Sequence, residues 1–247
     1  MSILEVENLK VAYGGAVILD DISFRVSAGE RLFIVGGSGS GKSTLMRAII
    51  GLAPVSGGRV CLEGVDTSHA TENEIQSMHR RVGVLFQSGA LFASMTLNEN
   101  VALPLVDFAG LSQSVALRVA KMKLSLVGLA GYENHLPAEI SGGMQKRAGL
   151  ARALALDPVM LLLDEPSAGL DPITSAELDR LIIELNQGLG TTIIVVSHEL
   201  ASIFTVAQRI IMLGKEQSGL MAQGSPQEML ESGDIRVKNF FQRQLPE

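Results

Sequence analysis

Apolar residues fall into short runs along the chain. Ile3–Val11, Arg31–Val35, Val82–Phe86, Val159–Leu163, Thr192–Ser197 and Arg209–Leu213 all read as strands. The later runs consist almost entirely of Val, Ile and Leu, the composition of strands covered on both faces. Met1 to Lys10 instead alternates apolar and acidic positions, as a half-exposed strand does and a secretory leader does not. Helical patterns separate several of the runs, so the expected fold is α/β around a mostly parallel central sheet. Gly14-Gly15 and Gly57-Gly58 read as turns between antiparallel strands, which places an antiparallel β subdomain at the N-terminus. Residues 88–157 lack strand-like runs and read as a helical insertion. The expected layout is therefore one domain over residues 1–247: a core at 1–87 and 158–213, a helical subdomain at 88–157 and a C-terminal segment at 214–247. Two helix starts are signed by a capping oxygen before proline, Asp171-Pro172 and Ser225-Pro226.

Composition narrows the possibilities. Apolar residues make up 47 % and charged residues 19 %, enough for a sizeable core. A net charge of −6 argues against the whole chain binding nucleic acid by charge, leaving open only a local basic patch at Lys146, Arg147 and Arg152. With 4 % aromatics and no tryptophan, base-stacking platforms are not expected either. Cys61 is the single cysteine, so no disulfide framework forms within the chain, which suits the cytosol. The uncharged run from Val82 to Asn98 is slightly short for a membrane span and carries Gln87, Asn98, serines and glycines.

Two glycine turns carry candidate phosphate chemistry. Gly36, Gly37, Ser38, Gly39, Ser40, Gly41, Lys42 and Ser43 match G-x-x-x-x-G-K-[ST], between the apolar run ending at Val35 and a helical pattern from Thr44 to Ile50. The glycines let backbone N–H groups wrap a triphosphate, Lys42 is placed to bridge its β- and γ-phosphates, and Ser43 to ligate Mg²⁺. Met160 to Leu163 is an apolar strand ending in Asp164 and Glu165, which delivers two carboxylates to the edge of a sheet where ligands bind. Asp164 fits an Mg²⁺-organising role through water, and Glu165 fits the polarisation of an attacking water. Gln87 and His198 close other strands and are donors that suit a γ-phosphate, and Asp171 lies six residues beyond Glu165. Tyr13 ends the first run, where its ring either stacks on adenine or packs at a strand end.

The second turn is Ser141-Gly142-Gly143, opening the helix of the stretch EISGGMQKRAGLARAL. Its capping serine and outward N–H groups make an anion site, yet the loop at Lys42 already encloses a phosphate from one side. The second site has a use if it closes over the γ-phosphate held by another molecule, so that nucleotide joins two copies. A plain capped helix is the alternative reading.

Taken together, these motifs resemble the nucleotide-binding subunit of ABC (ATP-binding cassette) systems over nearly the whole chain. Gly36–Thr44 is similar to the Walker A loop, Gln87 to the Q-loop, Ser141 to Gln145 to the signature, Met160–Glu165 to Walker B with its glutamate, Ser167–Asp171 to the D-loop, His198 to the switch histidine and Tyr13 to the A-loop aromatic. The resemblance implies a P-loop NTPase fold, ATP and Mg²⁺ as ligands, and a head-to-tail homodimer that holds ATP between Walker A of one copy and the signature of the other. Within it, Lys42 and the loop through Thr44 bind ATP with Tyr13, Ser141, Gly142, Gly143 and Asp171; Ser43, Gln87 and Asp164 serve Mg²⁺; Glu165, His198 and Gln87 serve hydrolysis. Two departures stand out: Met144 follows Ser-Gly-Gly where glutamine is commoner, and Glu199 follows His198 where aspartate is commoner.

Phe86 to Phe92, Met95-Thr96, Asn98 to Leu105 and Ser-Gly-Gly-Met further resemble the ATPases of Mla-type phospholipid systems. That implies a peripheral place on the cytoplasmic face of a bacterial inner membrane. The implied partners are an inner-membrane permease, a small STAS-domain protein and a periplasmic lipid-binding MCE protein, and no nucleic acid. Leu91, Phe92, Met95 and Leu97 are expected either to line a groove for a permease helix or to pack as helical core. Val237, Phe240 and Phe241 are candidates for packing on a partner. Rival readings are an ABC ATPase for another solute and a soluble ABC ATPase without a permease; a GTPase lacks its Asn-Lys-x-Asp motif here.

Overall fold

The protein is described by a computed structural model over residues 2–214 and 219–242. Residues 215–218 and 243–247 of the expected C-terminal segment lie outside the described residues. In chain order the elements are β1 (Ser2–Tyr13), β2 (Ala16–Ser27), β3 (Arg31–Val35), α1 (Lys42–Ile49), β4 (Gly57–Leu62), β5 (Val65–Asp66), α2 (Glu72–His79) and β6 (Val82–Leu85). Then follow α3 (Leu97–Asp107), α4 (Gln113–Leu126), α5 (Gly142–Ala153), β7 (Met160–Asp164), α6 (Pro172–Leu189), β8 (Thr192–Val196), α7 (Leu200–Val206), β9 (Arg209–Leu213), β10 (Leu220–Gly224), α8 (Pro226–Leu230) and α9 (Ile235–Gln242). The chain forms two compact units, Met1–Met78 with Thr192–Glu247, and His79–Thr191.

The first unit holds an antiparallel sheet in the order β2-β1-β4-β5 and the strands β10-β9-β3-β8. Strands β9, β3 and β8 are parallel, with β10 antiparallel to β9. Every residue of β8 is buried, as its apolar composition requires. The strand β2 was not among the expected runs, and its geometry explains why. Asn8 and Asp21 both adopt left-handed backbone (φ 47° and 51°) and are joined by an Asn8 Nδ2–Asp21 Oδ1 hydrogen bond of 2.7 Å. The pairing shifts there, from Val6↔Phe24 to Leu9↔Ile22. A bulge of this kind resets the in–out alternation, so no single period-two pattern runs through either strand.

Gly14-Gly15 forms the tight β1–β2 turn as expected, with Tyr13 paired to Ala16. Gly57-Gly58 does not form a turn: it opens β4, with Gly57 paired to Lys10 of β1. Gly58 has φ 72°, and a Cβ there would lie 2.2 Å from Asn8 O, so backbone shape and the close approach of the bulged strand both require glycine. Val237 and Phe241 of α9 are buried within their own unit, and Phe241 meets Phe204 edge-on at 5.9 Å between centroids. They serve the chain's own core and not a partner.

The second unit pairs β6 with β7 in parallel, Val82↔Met160 through Leu85↔Leu163. Helices α3, α4, α5 and α6 complete it. Thr96 and Glu99 close α3 with a reciprocal capping box, and Asp171 caps α6 before Pro172. Helix α5 lies against β6 almost backbone to backbone. A Cβ on Gly83 would fall 2.2 Å from Ala153 O, and one on Gly149 would fall 2.7 Å from Leu85 Cδ1 and 3.1 Å from Gly89 O. Two glycines, one on each element, thus set the distance between α5 and the segment that follows β6. Among the described residues no helix is long and apolar enough to cross a membrane.

Candidate functional site

In the first unit, β3 runs buried to Val35 and hands over to a loop that takes shapes L side chains avoid. Gly36, Gly39 and Gly41 have φ of 147°, 78° and 91°. A Cβ on Gly36 would also lie 2.5 Å from Leu213 O, so two constraints demand glycine there. Gly41 caps α1, which leaves the first-turn N–H groups of Lys42, Ser43 and Thr44 directed out of the helix end. Lys42 Nζ donates to Gly36 O at 2.8 Å and Gly37 O at 3.0 Å, so its ammonium lies over the loop it belongs to. Ser40 Oγ is buried with no protein hydrogen-bond partner, while Ser38 and Ser43 are exposed. Several donors and one cation converging on a glycine-lined concavity fit a polyphosphate.

His198 lies two residues beyond the end of β8, and β8 pairs in register with β3 (Ile34↔Val196). Parallel pairing brings the exit of His198 to the same sheet edge as the start of the glycine loop. Tyr13 is 43 % exposed at the end of β1, which disfavours its reading as a packed strand end.

In the second unit, the parallel pair β6–β7 delivers Gln87 and the Asp164-Glu165 pair at one edge, since Asp164 ends β7 and Glu165 and Gln87 follow the carboxyl ends of their strands. Glu165 has left-handed backbone, φ 48°, a conformation that costs energy for a residue with a Cβ. Lys146 of α5, only 7 % exposed, bridges the two strand ends. Its Nζ donates to the carbonyl of Gln87 and, at 3.3 Å, to that of Glu165. Burial pushes the Lys146 ammonium below its ordinary range, opposed by the charges of Asp164 and Glu165.

Ser141 caps α5 by accepting from Met144 N at 3.3 Å, and Ser141 and Gly142 are exposed. Gly143 is buried; a Cβ there would lie 2.4 Å from Thr174 Cγ2. Asp171 uses both carboxylate oxygens at the start of α6: Oδ1 accepts from Ile173 N and Thr174 N, each at 3.1 Å, and Oδ2 from Thr174 Oγ1 at 2.6 Å. The Thr174 hydroxyl, with the Thr174 amide, holds the Asp171 carboxyl below its usual range.

Sequence reasoning missed three anchors around the segment after β6. Arg152 donates to Ala90 O at 2.7 Å and Gly89 O at 3.1 Å and sits 6.0 Å from the Phe92 ring. Asn100, fully buried, accepts from Phe92 N at 2.7 Å and donates to the carbonyls of Phe92, Met95 and Thr96. Lys146 is the third. The candidate basic patch is corrected by the same contacts: Lys146 and Arg152 serve carbonyls inside the unit, and Arg147 pairs with Glu177 at 2.9 Å. Their helical spacing carried no sign of these partners, which come from elsewhere in the chain.

A groove of about 380 Å³ opens beside this segment, with Phe86, Phe92, Leu103, Pro104, Phe108 and Arg152 among its walls. Phe92 and Phe108 are about half exposed, at 51 % and 49 %. Of the expected apolar stripe only Phe92 lines the groove. Leu97 is fully buried on α3, while Leu91 and Met95 are half-buried and outside the groove, so the stripe divides into one wall residue, one core residue and two between them.

Comparison with known proteins bears on the whole chain. A family model described as ABC transporter matches residues 19–168. The chain is 37 % identical over 240 residues to the intermembrane phospholipid transport system ATP-binding protein MlaF of Haemophilus influenzae, covering 97 % of this chain and 90 % of that one. It is 39 % identical over 238 residues to the probable ribonucleotide transport ATP-binding protein mkl of Mycobacterium tuberculosis, covering 96 % of this chain and 66 % of that one. Among solved structures, it resembles the dimeric post-hydrolysis state of the ATP-binding cassette MJ0796 bound to ADP and Pi. There the TM-score is 0.80 at 29 % identity, with 90 % of this chain and 98 % of that chain covered. With the glycine loop, the carboxylate-ended strand and the capped Ser-Gly-Gly helix in place, the chain belongs to the ABC transporter family, as one of its ATPase cassettes.

Proposed function

We propose that the chain is the ATP-hydrolysing subunit of a transporter that moves phospholipid between the membranes of a bacterial envelope, acting from the cytoplasmic face of the inner membrane. The observation that carries this reading is the 37 % identity with a phospholipid-transport ATP-binding protein along 97 % of the chain. The Ser-Gly-Gly-Met signature and the Phe86–Leu105 segment support it at the level of motifs. Similarity to a probable ribonucleotide-transport protein, 39 % over nearly the same span, favours a second cargo as the alternative.

In this reading Tyr13 stacks on adenine while Lys42 and the amides of Gly36–Thr44 hold the phosphates. Ser43, Gln87 and Asp164 offer hydroxyl, amide and carboxylate oxygens, the hard donors that Mg²⁺ prefers, with Asp164 acting through water. Bound there, Mg²⁺ supplies neutralisation of phosphate charge. Glu165 takes the proton of the attacking water, and His198 donates to the γ-phosphate. Ser141, Gly142 and Gly143 of a second copy present a helix end to that phosphate, so that ATP joins two copies head to tail and hydrolysis releases them; Asp171 orders the start of α6 beside this seam. The groove walled by Phe92 and Phe108 suits the apolar face of a permease helix. A STAS-domain protein and a periplasmic MCE lipid carrier complete the expected complex.

Glu165→Gln is expected to keep ATP binding and slow turnover by ~10²–10⁴-fold, measured as phosphate release. Normal turnover would remove Glu165 from its role. The same variant, isolated with its membrane partners, decides the cargo: bound phospholipid is the expected finding, and bound nucleotide in the permease without lipid favours the alternative.

A further inference from the structure

We infer that Lys146 is a positioning residue for hydrolysis: one buried ammonium fixes the main chain of Gln87 and Glu165 relative to each other. The inference rests on the reading of Gln87 and Glu165 as the Mg²⁺ ligand and the base. Three observations carry it. Lys146 is buried, and its Nζ donates to the Gln87 carbonyl and to the Glu165 carbonyl at 3.3 Å. Glu165 sits in left-handed backbone at φ 48°, a strained conformation that surrounding contacts must hold, and its carbonyl accepts from Ala168 N at 3.2 Å as well as from Lys146. Finally, α5 is brought within reach by Gly149, whose missing side chain lets the helix approach Gly89 and Leu85.

A residue that only filled this space would be better apolar, because burying an ammonium is costly without acceptors. The cation has its acceptors, and both are carbonyls of residues read as catalytic. Arg152 repeats the device six residues further along α5, holding Gly89 and Ala90. The signature helix therefore carries, besides the Ser-Gly-Gly turn, the anchor that sets the distance between two hydrolytic groups of its own unit. Displacing a catalytic group by about an ångström costs about 10²-fold in rate without removing any group.

The test compares the full chain with its Lys146→Met, Lys146→Arg and Glu165→Gln variants. Lys146→Met is expected to lower kcat by about 10- to 100-fold, the scale of lost outer-shell partners, with half-saturating ATP within about threefold of the parent because Lys42 and its loop are untouched. Lys146→Arg, which keeps the charge and the donors, restores most of kcat. Amide hydrogen exchange at residues 87–90 and 165–168 accelerates together in Lys146→Met and stays unchanged at Gly36–Thr44. Parental kcat in Lys146→Met, a loss confined to ATP half-saturation, or unaltered exchange at either segment overturns the inference. Should Lys146→Met fail to fold, Lys146→Gln decides: its shorter amide is expected to cost kcat at least about threefold at constant half-saturation, and parental kcat again overturns the inference. Glu165→Gln separates the two levels. If Glu165→Gln turns over normally, the site reading fails; if it is inactive while the Lys146 variants are not, only Lys146 loses its role.

Discussion

The two glycine turns look alike in sequence and differ in why they need glycine. In Gly36–Thr44 the requirement is conformational at all three of Gly36, Gly39 and Gly41, which have positive φ, with lack of space added at Gly36 and Gly41. In Ser141-Gly142-Gly143 both glycines belong to α5 with ordinary helical backbone, and the requirement is space. The demand is also unequal within that turn. Gly143 faces Thr174 Cγ2, which would stand 2.4 Å from a Cβ, whereas a Cβ on Gly142 would make only ordinary contact with Leu170 Cδ2 at 3.9 Å. Thr174 cannot swing aside freely, because its hydroxyl is bonded to Asp171 at 2.6 Å. One turn is a bent loop whose shape fits the phosphate proposed for it. The other is a regular helix end whose exposed glycine is available to something outside the unit.

The largest expected effect lies in the first turn. Gly36→Ala meets both a forbidden φ and the Leu213 carbonyl, so it should destabilise the protein by about 1–3 kcal/mol and abolish ATP binding. Lys42→Ala should leave stability intact and weaken ATP binding by about 10- to 100-fold, the worth of a charge-assisted contact; calorimetry reads both, and unchanged affinity would contradict the cradle.

In the second turn the two glycines should separate. Gly143→Ala is expected to cost about 1–3 kcal/mol of stability through overpacking against Thr174. Gly142→Ala should stay within about 0.5 kcal/mol of the parent yet lose turnover and nucleotide-dependent dimerisation, measured by light scattering with the Glu165→Gln background. A stable, fully active Gly142→Ala would mean the exposed helix end touches no phosphate.

The smallest effect concerns the cap behind Thr174. Asp171→Ala should lower Tm by about 2–4 °C near neutral pH. Because the folded carboxyl titrates below its unfolded value, the cap's contribution is present above the ordinary carboxylate pKa and is lost as pH falls through the lowered folded value. The Tm gap between parent and variant should therefore narrow below about pH 4, and a gap independent of pH would assign the cap a role without charge.

Much of this layout was legible beforehand. The buried strands β3, β8 and β9 announced themselves because strands covered on both faces need unbroken apolar runs. The caps at Asp171 and Ser225 and the loop at Lys42 were legible because their chemistry lies within a few consecutive residues. The bulged β1–β2 pair was only half legible, since the shift at Asn8 and Asp21 scrambles the alternation that marks a strand. The Gly57-Gly58 pair misled for a related reason: glycine with positive φ and a close neighbour occurs within a strand as well as at a turn, and sequence does not say which.

What local spacing encodes is the kind of chemistry: a phosphate cradle, a pair of carboxylates at a strand end, a capped helix with an open glycine. What folding adds are the partners across long chain separations. Lys146 meets Gln87 and Glu165, Arg152 meets Gly89 and Ala90, and the groove takes its walls from Phe86, Leu103, Pro104 and Phe108. A lysine on an Ala- and Gly-rich helix reads as a surface charge until the helix is pressed against β6. Burial then turns it into an anchor, because a desolvated ammonium is held only where acceptors are brought to it.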